Sequence, residues 1–404
     1  MSTLVPAGLE RLLPEPSGGD SLWARAPGTR RDAAVAGEFQ IRAEQNFDFD
    51  GPDYTALYAG SGASAFQHPL WLQALYAALA PARNAEPLII TARRSDNGAL
   101  VMVLPMLRRR ARGLTTVGYA DLGVSDYNVP VAAADDWDLL CSQPGVAEAI
   151  LNACGHFDLL RIPKLRPDGL DLTNLLGARA RTSPHARAYS AALPRSFAQW
   201  REAQMNPSLR KELDKKRRRL DRNGGAEFQR LQDPSAITAA LARLHVFRRP
   251  RFDVRDEQDM LDDPSVMAFY ARVATAGAET GFARTYTLSI EGQLAAVTFG
   301  ISHHGRFLVL LSAFDAAFSR LSLGNLLFED VVRDCIESGD NVFDLTIGDE
   351  PYKASYGTAE MQLSVLSLTG SAVGWVAQTS LAIPALHRTV RRLRTMLTSR
   401  SFAR

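Results

Sequence analysis

The order of hydrophobic patterns along this chain repeats once, and that repeat limits what it can fold into more than any other feature. In the first half, Phe66 to Leu79 places Leu70, Leu72, Leu75, Tyr76 and Leu79 at helical spacing. Two β-type runs follow, PLIITARR and ALVMVLPMLRRR, with Asp96, Asn97 and Gly98 making a tight turn between them. A third run (LTTVGYADLG), the loop SDYNVPV, a helix over Val146–Cys154 and the strand FDLLRIPKL complete the unit. The second half has a helix over Ser208–Arg222, a strand EFQRL, and helices over Pro234–Phe247 and Pro264–Ala278 that bracket a polar loop. Next come a hairpin turning at Glu291-Gly292, the strand RFLVLLSAFD, a helix from Leu323 to Ser338 and the strand NVFDLTIG. Interleaved strands and helices of this kind predict a mixed α/β (α+β) fold in two tandem units, each a central mixed sheet flanked by helices. The halves share element order and not residue identity.

A chain of 404 residues exceeds one ordinary core. The reading places a disordered, Pro- and Gly-rich leader over 1–37, domains over 38–190 and 191–370, and a basic amphipathic tail over 371–404. In the tail, Arg388, Arg391, Arg392 and Arg394 lie near Leu386, Val390, Leu393 and Leu397, with Pro384 as an interruption. That pattern suits a helix packed on its own domain, or a peripheral contact with an anionic membrane surface. No apolar run reaches the ~20 residues of a membrane span, and Pro6, Glu10, Arg11 and Pro14 break any signal-peptide core. Cys141, Cys154 and Cys335 show no CxxC spacing, so reduced thiols and a cytoplasmic location are expected. No GxSxG, HExxH or paired His/Cys set is present, which speaks against serine-hydrolase and zinc chemistry and predicts no metal. A net charge of +2 over 46 basic and 44 acidic side chains says nothing globally about nucleic acid.

Chemistry concentrates late in the chain. After the apolar run Phe307–Phe314, a loop with Ser319, Arg320, Ser322, Gly324 and Asn325 leads straight into a helix. A helix start at a strand end offers free N–H groups and partial positive charge to a phosphate, here from Ser322, Leu323, Gly324, Asn325 and Leu326, with Arg320 as an added cation. Ser322 reads equally well as a plain N-cap. The next strand carries Asp344 within apolar neighbours and ends in Gly348, Asp349, Glu350, Tyr352 and Lys353. Ligands commonly sit at the carboxyl ends of such strands. A lysine there can stabilise an oxyanion, and a carboxylate can take a proton from an amine.

The run from Phe307 to Gly357, with Phe314-Asp315, Ser322-x-Gly324, Asp344 and Gly348-Asp349-Glu350-Pro351-Tyr352-Lys353, resembles the core of the CelD-type (cellulose-biosynthesis-associated) GNAT acyltransferases. FQHPLWLQAL, VLPMLRRR and SDYNVPV extend the likeness to roughly residues 66–370. The YK-x-x-YG element is also similar to that of the FemABX peptidyltransferases, which hold two GNAT-like domains in one chain. The resemblance implies an acyl-CoA (acetyl-CoA) donor with its pyrophosphate on the Ser322–Leu326 backbone, and Lys353 in the transfer step. One departure is Leu323, where the family usually has a smaller residue or proline.

The expected activity is therefore acyl transfer from acyl-CoA to an amine or hydroxyl of a small molecule or a cell-envelope (exopolysaccharide) precursor. Lys353, Asp344, Glu350 and Tyr352 are the catalytic candidates, and Asp126, Tyr127, Asn128 and His245 the acceptor-binding ones. The SDYNVP loop reads also as a hydrogen-bonded turn, and His245 as a core histidine. Two other readings stay open. One is a FemABX-type transferase using aminoacyl-tRNA, for which the helix SLRKELDKKRRRLDR would contact RNA. The other is a catalytically silent GNAT scaffold of an exopolysaccharide system.

Overall fold

The computed structural model describes residues 34–177, 179–222, 224–255 and 257–382. The first described element, β1 (Ala34–Ala36), pairs with β2 (Phe39–Glu44), so residues 34–36 of the expected leader belong to the sheet. Residues 1–33 of the leader and 383–404 of the tail lie outside the described part. Helix α1 (Pro52–Gly60) leads to a 3₁₀ turn whose Ser64–Gln67 capping box fixes its start. The expected helix over 66–79 is instead α2 (Pro69–Ala74), a π segment (Leu75–Leu79) and α3 (Ala80–Ala82). Strands β3 (Ala85–Arg94), β4 (Leu100–Ala111), β5 (Leu114–Tyr119) and β6 (Val131–Ala132) follow. Leu100–Leu107 of β4 is buried at every position, as a strand covered on both faces must be. Helices α4 (Ala134–Ser142) and α5 (Val146–Cys154), strand β7 (Leu159–Leu165), α6 (Leu172–Leu176) and β8 (Arg181–Ala192) complete this half.

The second half opens with α7 (Phe197–Ala203) and α8 (Pro207–Asp221). Asn206 caps α8 by accepting from Ser208 and Leu209, and Pro207 sits at the first helical position, where its missing N–H costs nothing. After β9 (Ala226–Leu231), α9 (Pro234–Arg255) runs through Pro250, so half of the expected polar loop is helical. Then come α10 (Pro264–Ala276), β10 (Ala283–Ile290), β11 (Gln293–His303), β12 (Arg306–Phe314), α11 (Leu323–Glu337), β13 (Val342–Ile347), β14 (Ala359–Thr369) and α12 (Ala372–Ala382).

Among the described residues fourteen strands join in one mixed sheet, ordered β1-β2-β3-β4-β5-β7-β14-β8-β13-β12-β11-β10-β9 with β6 on β4. Only β5–β7 and β12–β13 pair in parallel; the other ladders are antiparallel. The middle of the sheet is an exchange. The late strand β14 inserts between β7 and β8, and β8 in turn pairs with β13. One apolar core joins α1, α2, α9 and α10 to one face of the sheet, a second lies under α5 and α6, and a third under α8 and α11.

Where the halves meet, imidazoles pack into apolar surroundings. His68 stacks on Phe282 at 3.8 Å and accepts from the Leu70 N–H, while His303 stacks on Tyr58 at 4.6 Å. His303, although next to a hairpin turn, is half-buried. Burial lowers His68 to about 4, and burial followed by the neighbouring His304 lowers His303 to about 3, from an ordinary 6.5. Both are neutral in the fold and protonate more readily when unfolded. Their contribution is thus present above pH 6.5 and lost as pH falls from there towards 3. Thermal midpoints should decline over that window, and His303→Asn should flatten the decline; an unchanged slope would remove this assignment.

Candidate functional site

Strands β12 and β13 pair at Arg306–Val342, Phe307–Phe343 and Leu308–Asp344, after which their pairing stops and the strands part. The chain is bulged there, between Asp344 and Ile347 on the β8 side. Thr346 at the apex has φ 55°, a left-handed value that costs a β-branched residue about 1–3 kcal/mol. Three bonds hold it. Its N–H donates to Asp344 Oδ1 (2.8 Å), its hydroxyl donates to Val309 O (3.2 Å), and its carbonyl accepts from Lys353 Nζ (3.3 Å). Beside this wedge lie the start of α11 and the 3₁₀ turn Pro351–Tyr356, joined to one another by the bond from Tyr356 OH to Asn325 Oδ1.

Lys353 is buried, which is rare for an ammonium and demands partners. Besides Thr346 O, its Nζ donates to Ile347 O at 3.0 Å, pairs with Glu350 Oε2 at 3.2 Å and lies 5.6 Å from the Tyr189 ring centre. Gly348, at φ 129°, lets the chain pass so close that a Cβ there would meet Glu350 Oε2 at 2.4 Å. Burial pushes the Glu350 carboxyl up, but Lys353 and then Arg251, 3.4 Å away, outweigh it and leave it below its ordinary value. Tyr352 is 39% exposed, and burial with the nearby Glu350 charge pushes its hydroxyl to about 12, so it is protonated at neutral pH. Lys353, Glu350 and Tyr352 are thus brought together at the wedge.

Asp344 is fully buried and points the other way, into the first half. Tyr127 OH donates to its two oxygens (2.8 and 3.1 Å), Arg306 pairs with Oδ2 (2.8 Å) and the Thr346 N–H takes Oδ1. With both oxygens engaged, Asp344 is a tie between the halves and not an open proton acceptor. Tyr127 itself is buried and passes the link on, its carbonyl accepting from Gln67 Nε2. Asn128 forms the hydrogen-bonded turn that was the other reading of this loop, donating to Pro163 O (2.8 Å) and Asp121 Oδ2 (3.3 Å). Asp126 is half-buried; burial raises its carboxyl, although Lys164 opposes the shift. His245 lies on α9 and pairs with Asp262 (2.8 Å), apart from the Asp344–Lys353 group.

Ser322 precedes α11 at φ 55° and does not cap it; its hydroxyl donates to Glu212 of α8 (2.6 Å). No side chain caps this end; the N–H groups of Asn325 and Leu326 donate to Ser322 O (3.0 and 3.1 Å), so those of Leu323 and Gly324 are the ones at the free end of the helix. The Leu323 side chain is wholly in the core, so the departure noted in the sequence does not narrow the loop. Leu326 is buried beside it. Gly324 lies under the Phe314 ring, 3.3 Å from where a Cβ would stand. Asn325 accepts from Tyr356 OH (2.8 Å), tying the helix start to the Lys353 turn. The Arg320 side chain is exposed, and its carbonyl accepts from Lys216. In α8, Arg217 pairs with buried Glu329 (2.9 Å) and Asp330 (2.7 Å) of α11, while Lys211, Lys215, Arg218 and Arg222 form an exposed stripe. Sequence reading missed Arg306 and Thr346: a threonine inside a strand and an arginine after a turn look ordinary until the register is known. Among the described residues no group of His, Cys, Asp or Glu is placed to hold a metal.

The family model described as an acetyltransferase (GNAT) domain matches residues 207–354, which span the wedge, α8 and α11. Comparison with curated proteins finds no match. Among solved structures, the chain is similar to FemX (TM-score 0.57, 11% identity, covering 80% of this chain and 96% of that one). It is similar also to L-PGS from Bacillus licheniformis (0.52, 12%, 85% and 99%). A conserved protein of unknown function from Bacteroides thetaiotaomicron matches at 0.52 and 12%, covering 81% and 99%. At such identities the likeness is one of fold. Residues 207–354 thus match the GNAT acetyltransferase domain model, and the fold is similar to that of FemX.

Proposed function

We propose that this protein transfers an acyl group from an acyl-CoA to an amine or hydroxyl, with a small molecule such as an amino sugar, or a cell-envelope polysaccharide precursor, as acceptor. The observation that carries the reading is the end of the β12–β13 pairing, beside which stand an uncapped helix start and a buried lysine. The donor's pyrophosphate would lie on the N–H groups at Leu323 and Gly324, and its thioester would run down the wedge. Lys353 would turn one N–H from Glu350 to the oxyanion as the acceptor's nitrogen or oxygen adds to the carbonyl carbon. Glu350, kept ionised, would receive the acceptor's proton. When the C–S bond breaks, Tyr352 would hand its proton to the departing thiolate. Asp344 holds the apex in place and takes no proton. In this reading 38–190 and 191–370 are tandem units that exchange β8 and β14, and the second carries the chemistry.

The test is thermal shift of the full chain with acetyl-CoA, longer acyl-CoAs and free CoA. A donor present at 100 times its Kd should add about 2.7 kcal/mol, visible as a raised midpoint. No shift with any of them overturns the donor assignment. The exposed Lys211–Lys215–Arg218–Arg222 stripe beside the α11 start favours one second reading, an aminoacyl-tRNA donor. Steeply salt-dependent tRNA binding without a CoA shift would select it.

A further inference from the structure

The chain leaves the sheet in an unusual way. Gly370 donates its N–H to Asp158 O, Ser371 Oγ donates to Asp158 Oδ1 (2.6 Å), and the Gly374 N–H returns to Ser371 Oγ (3.1 Å). Gly374 is buried so tightly that a Cβ there would fall 1.7 Å from Asp158 O. Helix α12 is therefore laid on the body through its glycine, and its large apolar side chains turn outwards. Val373 is 55% exposed, Trp375 62% and Leu381 44%, whereas Trp71, Trp137 and Trp200 are buried. Exposed large apolar side chains on one short helix, a tryptophan among them, mark an interaction surface more often than singly scattered ones do.

The same Asp158 ties α12 to a strongly basic hairpin. The Thr115 N–H donates to Asp158 Oδ2 (2.7 Å) and the Asp158 N–H to Thr115 O, while Thr115 pairs across the ladder with Arg110. Arg109, Arg110 and Arg112 stand exposed on that hairpin. From Ser371 to Arg404 the sequence holds no Asp or Glu, and six arginines follow Ala382. Apolar side chains with an aromatic among them, and a hairpin whose Arg109, Arg110 and Arg112 have no ion pair among the described residues, match the two layers of an anionic bilayer surface: the acyl boundary and the phosphate headgroups. No described helix is long and apolar enough to cross a membrane, which leaves a contact in the interface plane.

We propose that α12 and the Arg109–Arg112 hairpin form a docking surface for anionic lipid, with Trp375 entering the headgroup boundary. The proposal is independent of the donor assignment. The full chain is sedimented with vesicles of equal parts phosphatidylglycerol and phosphatidylcholine, and with phosphatidylcholine alone. Binding to the first only is expected. The combined change Arg109→Gln, Arg110→Gln and Arg112→Gln should weaken it about tenfold or more, and raised salt should act in the same direction. Trp375→Ser should weaken it, and Trp375→Phe should retain it, with unchanged thermal midpoints showing that the fold persists. Absence of binding, equal binding to neutral vesicles, or indifference to all variants overturns the proposal. So does self-association that Trp375→Ser abolishes, because a second copy would then cover α12.

Discussion

Replacing Lys353 with alanine is expected to lower turnover by about 10²–10³-fold, the usual loss when one donor to a developing oxyanion is removed. The ammonium is buried, bound to two strand-end carbonyls and paired with Glu350, so it is rigidly placed at the wedge. Lys353→Met keeps the volume and removes only the charge. Both variants should keep the thermal shift given by the donor, since the pyrophosphate is assigned to the α11 start. Turnover near the parental level in Lys353→Met would end the assignment. A second signature lies in the pH profile. Burial raises the Glu350 carboxyl, and Lys353, a backbone hydrogen bond and Arg251 together lower it further than that, so without the lysine it should titrate at higher pH. The acid limb of activity should therefore move to higher pH in Lys353→Met, and a purely structural lysine would leave that limb in place.

The largest stability effect is expected at Asp344. Truncation to alanine leaves the Tyr127 hydroxyl, the Thr346 N–H and Arg306 facing a cavity. Breaking a buried pair by removing one partner costs about 3–5 kcal/mol. Arg306 keeps a quarter of its side-chain exposure, so the lower end, about 3 kcal/mol, is expected. Denaturant titration would show it as a lowered midpoint. Asp344→Asn keeps the shape and should fall between, having no charge to offer Arg306. If Asp344→Asn abolished transfer at unaltered stability, a proton-transfer role would replace the positioning role.

Much of this was legible in the sequence where burial and period agree. The runs at β4, β11 and β12 are apolar because both of their faces are covered, and α5 and α11 carry apolar stripes long enough to be unambiguous. The functional density from Gly348 to Lys353 was visible because six chemically dissimilar residues rarely adjoin without cause. What escaped was the centre of the sheet. Strand β8, RTSPHARAYSAA, is exposed over its first half and has no apolar alternation, and β14 follows the YK block without a turn signal strong enough to mark it. Their pairing depends on residues some 170 positions apart, which local patterns do not encode. The tie that Asp344 makes is hidden for the same reason. Its partner Tyr127 is 217 residues away in the chain.

The strand exchange also sets a timetable for biosynthesis. A ribosome extends a chain at roughly 5–20 residues per second, and amino-terminal units ordinarily begin folding as they emerge. Here β7 awaits a neighbour, β14, that lies about two hundred residues downstream, and β8 awaits β13. The first half must therefore remain with an open sheet edge for on the order of ten seconds or more at such speeds. An edge of that kind invites pairing with other nascent chains. The exposed polar and charged residues over the first half of β8 make it a poor template for such pairing during the wait.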